Sequence, residues 1–211
     1  MLSEILTYFQ TNSPQYGGYL ITHLLISGKA LFFAALIGLP LGFLSYRIKP
    51  LAELFQTMSQ LLRIIPSLAV LFLLIPLIGV GELPALIALT FLAIPSILIN
   101  TALGFHEVSK ITKEVASGLG MNHRQLFCKI EIPLALPFIL NGLKLALVEI
   151  LASATLATYI GAGGLGTLIF TGLGLYRMDL LLIGGGSVTL LSLLCIALFD
   201  LMIRKVKKNY V

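Results

Sequence analysis

Residues 109–133 form a polar, charged island between long apolar segments, in which Glu114, Ala116, Gly120, Asn122, Leu126, Phe127, Ile130 and Pro133 are set among lysines and an arginine. Bond-making chemistry is a poor match. The three histidines, His23, His106 and His123, are scattered with no paired ligand spacing. No G-x-x-x-x-G-K-[ST] phosphate loop occurs. Cys128 and Cys195 stand far apart without metal-like spacing and read as bystanders, neither disulfide nor metal ligands. The sequence therefore predicts no catalytic residue, no metal and no cofactor. What remains for such a polar stretch is recognition: a small shaped surface that another molecule can hold.

The stretch reads as two short helices with a glycine joint. Ser109 or Thr112 can cap the first, and Glu114 falls near its N-terminal end, where a carboxylate suits the helix dipole. Gly118 and Gly120 break it, since glycine turns there without steric cost. Asn122 can cap the second helix with Gln125 as capping-box partner, and Met121 and Leu126 occupy the two staple positions. Pro133 is expected to end it. Ala116 and Gly120, four apart, offer a small-residue surface for close approach of a partner backbone, to which Leu119, Leu126 and Phe127 add apolar contacts. The alternative is an ordinary interfacial loop.

The elements around this stretch are built for lipid. The 211 residues are 58% apolar and 11% charged, with a mean hydropathy of +1.02, whereas a soluble domain has about a quarter charged residues. The net charge of +5 is spread in short basic runs beside apolar segments, a juxtamembrane pattern rather than a nucleic-acid surface. Residues 1–18 lack a basic start, which argues against a cleaved signal peptide; Leu2, Ile5, Leu6 and Phe9 could form one face of a short surface helix, or the terminus could be frayed. A spanning helix needs about 20 mostly apolar residues, and residues 20–46, 84–105, 134–160 and 180–203 qualify. Residues 51–78 form either one helix bent near Pro66 and Pro76 or two pieces. Arg47, Lys49, Lys110, Lys113, Arg124, Lys129, Arg204, Lys205, Lys207 and Lys208 all fall on one side if there are five spans with the N-terminus outside; the opposite loops, Gly79 to Leu83 and Tyr159 to Asp179, then hold only Arg177 among basic residues. The expected architecture is an all-α polytopic membrane protein of about five transmembrane helices, N-out and C-in, as one domain over 19–205 with a tail at 206–211.

A second sequence of interest is Ala154-Thr155-Leu156-Ala157-Thr158-Tyr159-Ile160-Gly161-Ala162-Gly163-Gly164-Leu165-Gly166. Each glycine costs a helix about 1 kcal/mol against alanine, so the helix cannot continue through Gly161, Gly163, Gly164 and Gly166. Irregular backbone at membrane depth must be buried in protein or line a cavity. Two readings stay open: a bent segment of a gate near the outer mouth, or an outer loop that lets helices pack closely. Glu149 is an ionisable group within a span and so a candidate for the pathway, or for a structural pair with a base such as Arg63. Lys144 reads as lying near the inner interface, Lys29 as snorkelling, and Asn100 as bonding between helices.

The spacing Glu114–Ala116–Gly120–Ile130–Pro133 resembles the "E-A-A, three residues, G, nine residues, I-x-L-P" loop of bacterial ABC-importer permeases, with Val115 in place of the central alanine and Ile132 in place of the leucine. Further stretches, Ile160-Gly161-Ala162-Gly163-Gly164-Leu165-Gly166, Arg63-Ile64-Ile65-Pro66-Ser67-Leu68-Ala69, Gly38-Leu39-Pro40-Leu41-Gly42 and Ile132-Pro133-Leu134-Ala135-Leu136-Pro137, resemble the osmoprotectant permeases, from about Tyr19 to Lys205. The resemblance implies a methionine-permease-like fold in the bacterial inner membrane. It implies that loop 109–133 is a coupling element docking on a separate cytoplasmic ATPase, that a second permease subunit completes the pathway, and that a binding protein, a separate chain since this one stops at Val211, delivers glycine betaine, carnitine or choline. With no Trp and no evident aromatic cage, selectivity is expected to reside in that binding protein. The alternatives are a methionine-type importer or, in another class, a stand-alone channel or secondary transporter; the latter often shows inverted repeats, and none is seen here. A membrane scaffold subunit would leave the glycine segment without a purpose.

Overall fold

Long apolar runs with few breakers fold as long helices, because the backbone must satisfy its own hydrogen bonds where water is absent. The computed structural model describes residues 2–210. Met1 and Val211, at the ends of the segments 1–18 and 206–211, and the side chains of Leu2, Asn209 and Tyr210 lie outside the described residues. In chain order the helices are α1 (Leu2–Arg47), α2 (Lys49–Ile64), α3 (Ser67–Ile78), α4 (Glu82–His106), α5 (Lys110–Gly118), α6 (His123–Leu126), α7 (Ile132–Leu156), α8 (Gly166–Gly174) and α9 (Met178–Tyr210). A π-helical turn, Phe127–Glu131, joins α6 to α7, and a 3-10 turn, Ala157–Ile160, follows α7.

Among the described residues, four helical stretches are long and apolar enough to cross a membrane: α1, α4, α7 with its flanking turns, and α9. The pair α2–α3 makes a fifth if it is counted as one broken span. Its break decides what the sequence left open over 51–78. Pro66 is extended (φ −59°, ψ 134°) ahead of α3, and the two helices are bent by 91°. Pro76 lies inside α3 and makes no second break. The N-terminal segment is helical, continuous with α1 except at Asn12 (φ −121°, ψ 17°). Its buried face is not the one expected: Tyr8 is buried and Ile5 packs beside it, whereas Leu6 and Phe9 are exposed.

The chain divides into two compact units whose boundaries fall within helices. One comprises Met1–Phe33, Ile65–Ala93 and Leu147–Cys195; the other comprises Ala34–Ile64, Ile94–Ala146 and Ile196–Val211. In the first, Tyr8, Leu165, Leu168, Leu180 and Ile183 form a buried cluster, and Tyr16 shares a hydrogen bond with Ser187 of α9 (2.8 Å).

In the second unit the helices meet at glycines. A β-carbon at Gly42 of α1 would lie 2.6 Å from Cβ of Thr101 on α4. One at Gly104 of α4 would lie 2.9 Å from the Ala135 carbonyl on α7, and one at Gly142 of α7 would lie 2.8 Å from Cβ of Asn100. Small residues thus let α1, α4 and α7 approach almost backbone to backbone, the usual device where lipid offers no hydrophobic drive for helix association. Asn141 of α7 donates to Asn100 of α4 (3.0 Å), the interhelical bond expected of Asn100.

Candidate functional site

Loop 109–133 is ordered by local bonds. The Asn122 side chain accepts from the Gln125 amide (2.8 Å) while the Gln125 side chain accepts from the Asn122 amide (3.0 Å), so the predicted capping box is complete. Gly120 takes a left-handed conformation (φ +86°) and makes the joint. Gly118 is instead the last residue of α5, so a single glycine turns the chain. Ser109 stands at the cap position of α5 without a side-chain bond. Glu114 lies beyond the first turn, too far along α5 to satisfy its free N–H groups. Pro133 does not end the second helix: it falls in the first turn of α7, where a proline N–H is least missed, and the wide π-turn before it carries the chain through from α6.

The outward face of α5 also differs from the expected one. Ala116 is only 4% exposed and faces into its unit, which removes it from a partner's reach. Ile111, Val115 and Leu119, four apart along one helical face, are 71%, 58% and 77% exposed. Gly120 beside them has open space around it. Leu126, Phe127, Ile130 and Pro133 are half-buried and Asn122 and Glu114 are exposed. Phe127 is not spare apolar surface, because its ring stacks 6.0 Å from that of Phe105 and lies 5.2 Å from that of Phe43.

Beneath that face sits a group the sequence reading did not single out. Glu131, in the π-turn, is 5% exposed. Its carboxylate lies 3.5 Å from Lys113 Nζ of α5 and 3.6 Å from Arg47 Nη2 at the end of α1. Lys113 also donates to the Tyr46 hydroxyl (2.7 Å) and lies 5.1 Å from the centre of that ring. The Arg47 guanidinium lies over Phe43 and Tyr46 (5.2 and 5.5 Å). The only sequence signal was a glutamate adjoining an apolar span, with no hint of its partners.

The glycine segment is held by its backbone. After the 3-10 turn, Gly161, Gly163 and Gly164 all have positive φ (82°, 73° and 85°). The Gly81 amide donates to the Ile160 carbonyl (2.6 Å), and the Thr158 hydroxyl donates to the Gly163 carbonyl (2.8 Å). A β-carbon at Gly164 would come within 3.1 Å of His23 Nδ1, and one at Gly166 would collide with the Thr155 carbonyl oxygen. His23 is fully buried and its Nε2 contacts the Leu151 carbonyl (3.2 Å), which makes Nε2 the protonated nitrogen. The stretch from Tyr159 to Asp179, expected as a loop, contains α8. Its one basic residue, Arg177, hydrogen-bonds Asp179, and that bond raises the guanidinium pKa above its ordinary value.

The other charged candidates resolve differently. Lys29 does not simply reach for water: its ammonium lies 2.6 Å from Glu82. Lys144 pairs with Asp200 of α9 (2.8 Å). Glu149 is half-buried on α7 and engaged by its neighbours. Cys128 and Cys195 are free.

The sequence profile of the family described as Binding-protein-dependent transport system inner membrane component matches residues 34–209. The chain is 42% identical over 192 residues to the Carnitine transport permease protein OpuCB of Listeria monocytogenes, covering 91% of this chain and 88% of that protein. It is 37% identical to the Glycine betaine/carnitine/choline transport system permease protein OpuCB of Bacillus subtilis (strain 168), with 92% and 89% covered. Among solved structures it is similar to an inward-facing conformation of the MetNI methionine ABC transporter, with a TM-score of 0.79 at 25% identity over 90% of this chain and 95% of that one. That likeness bears out the methionine-permease-like fold.

Proposed function

The chain belongs to the family of binding-protein-dependent transport system inner membrane components, and from that premise we propose that it is the permease subunit of an ATP-driven importer of quaternary ammonium osmoprotectants. It is a multi-pass protein of the inner membrane. The substrate class rests on the relatives, whose names specify carnitine, glycine betaine and choline. Transport by the assembled importer requires three partners: cytoplasmic ATPase subunits, an extracytoplasmic binding protein, and a second permease subunit, identical or homologous. The permease domain spans 19–205, flanked by the segments 1–18 and 206–211, with the N-terminus outside and the basic loops and tail in the cytoplasm.

The observation that carries the mechanism is the exposed stripe Ile111–Val115–Leu119 on a capped, ion-paired loop. An apolar patch on an otherwise polar loop is the signature of a docking surface, and a loop held in one shape passes on displacement instead of absorbing it. The ATPase docks on this face, with Glu114, Gly120, Asn122 and the half-buried Leu126, Ile130 and Pro133 shaping its edges. Ala116 and Phe127 act from beneath, packing the loop against its own unit. ATP-driven closure of the ATPase subunits moves the loop, the spans rock, and the pathway opens alternately to either side. Gly161, Gly163, Gly164 and Gly166 form the bent part of the gate, and Glu149 faces the pathway.

The test is ATP-dependent uptake of labelled glycine betaine into proteoliposomes containing this chain with its copurified ATPase and binding protein. Uptake that requires every component is the expected result. An ATPase that copurifies while glycine betaine, carnitine and choline are all ignored removes the substrate class and leaves the importer; failure of any ATPase to copurify removes the docking role.

A further inference from the structure

We propose that Glu131 is the positioning residue that joins the docking loop to the spanning helices, a role that rests on the coupling reading above. Three elements meet at its carboxylate: α5 through Lys113, the end of α1 through Arg47, and its own π-turn at the head of α7. Each base has a second hold. Lys113 bonds the Tyr46 hydroxyl and Arg47 lies over the Phe43 and Tyr46 rings, so neither cation can swing away without leaving an aromatic partner. Phe105 and Phe127 close the other side of the cluster, with the Tyr46 and Phe105 rings stacked 5.5 Å apart.

The arrangement is hard to explain as stabilisation alone. Withdrawing a carboxylate from water is costly, and its attraction to a part-buried lysine and a half-exposed arginine does little more than offset the loss; an apolar side chain of similar volume would serve packing as well or better. What a buried, doubly paired charge supplies is one defined geometry among several near-equivalent ones. Here that geometry fixes the bearing of α5, whose outward stripe is the docking face, relative to α1 and α7. Those two helices and α4 are already packed through Gly42, Gly104 and Gly142 into a body with little room to slide. The Glu131 cluster is the joint through which a push on the loop becomes a movement of that body.

The experiment uses the reconstituted importer and compares ATP hydrolysed with solute imported in the same vesicles. Glu131→Gln keeps the shape and removes the charge; Arg47→Met keeps an apolar stem and cuts only the link to α1. Both leave Ile111, Val115 and Leu119 in place, so the ATPase still copurifies and still hydrolyses ATP. The expected result is a rise of about tenfold in ATP consumed per solute for either variant, within the range of ordinary coupling between sites. Glu131→Asp, which keeps the charge, stays within about twofold of wild type on the same scale. A purely structural role predicts otherwise: uptake and hydrolysis fall together with the amount of assembled complex, and the ratio stays constant. That outcome overturns the proposal. If Glu131→Gln fails to assemble, Arg47→Met, altered at a half-exposed side chain, decides by the same ratio. A wild-type chain that does not engage an ATPase at all sinks the coupling reading itself, and that is seen before any variant is made.

Discussion

Two regions of this protein hold non-helical backbone in a fixed shape, and they do it by opposite means. Loop 109–133 is shaped by side chains: an asparagine–glutamine capping box, a buried glutamate between two bases, and Phe127 stacked in line with Phe105 and Tyr46. The segment 157–166 is shaped chiefly by the lack of them, with three glycines at positive φ, a fourth pressed against a carbonyl, and a single side-chain bond from Thr158 to the Gly163 carbonyl. Polar side chains can do this work where water and a soluble partner are near. Where the backbone must pack tightly against other backbone, every β-carbon is an obstruction and glycine is the remaining option. The contrast says what each region is most sensitive to: the first to loss of its polar groups and of its left-handed glycine, Gly120, the second to added bulk.

Substitutions can break or sharpen that contrast. The largest effect is expected at Gly166→Ala, whose added methyl meets the Thr155 carbonyl; overpacking of this kind costs about 3 kcal/mol, and the thermal unfolding of the purified protein should shift down accordingly. A wild-type melting curve would mean that the glycine segment is not governed by backbone packing. Next comes Leu119→Asp on the exposed stripe. Fold stability should stay within about 0.5 kcal/mol of wild type by thermal unfolding, while ATPase association weakens by about 2 kcal/mol, as for a central interface residue, in a titration of ATPase against the reconstituted chain. Gly120→Ala places a β-carbon at φ +86° with open space around it, so its cost is conformational alone, about 1–2 kcal/mol. Amide exchange across 117–124 should quicken while the spans are unchanged, and Gly120→Asn should recover part of the loss. A bulky residue there should also separate ATP hydrolysis from uptake. The smallest effect belongs to Asn122→Ala, about 1 kcal/mol for a lost cap, visible as faster exchange of the Gln125 amide. If Gly120→Ala and Gly166→Ala proved equally mild, the two regions would not differ as argued.

Much of this was legible from local signals. Long apolar runs located the spans, the spacing of Asn122 and Gln125 gave the capping box, and the glycine density after Thr158 ended α7. Non-local facts were not legible. Glu131 owes its burial to Arg47 and Lys113, and nothing in the residues around it names them. Ala116 turns inward because of what α5 packs on, so the outward face falls to Ile111 and Val115, the latter a departure from the motif the sequence resembles. The π-turn has no local signature, so the sequence around Pro133 predicts a helix stop where the structure has the first turn of α7. Within Tyr159–Asp179 the glycines predict irregular backbone, and they mask the short helix α8 that follows them.

The π-turn Phe127–Glu131 also sets a phase. A helix advances about 100° per residue, and a turn widened by one residue keeps its axis while changing the angle at which everything before it leaves. Removing one residue from this turn would tighten it to an ordinary α turn and rotate α6, and with it the bearing of α5, by roughly that angle about α7. The nine residues between Gly120 and Ile130 are therefore a dial setting as much as a length. An insertion or deletion there could conserve every residue type in the loop and still aim its apolar stripe at empty solvent.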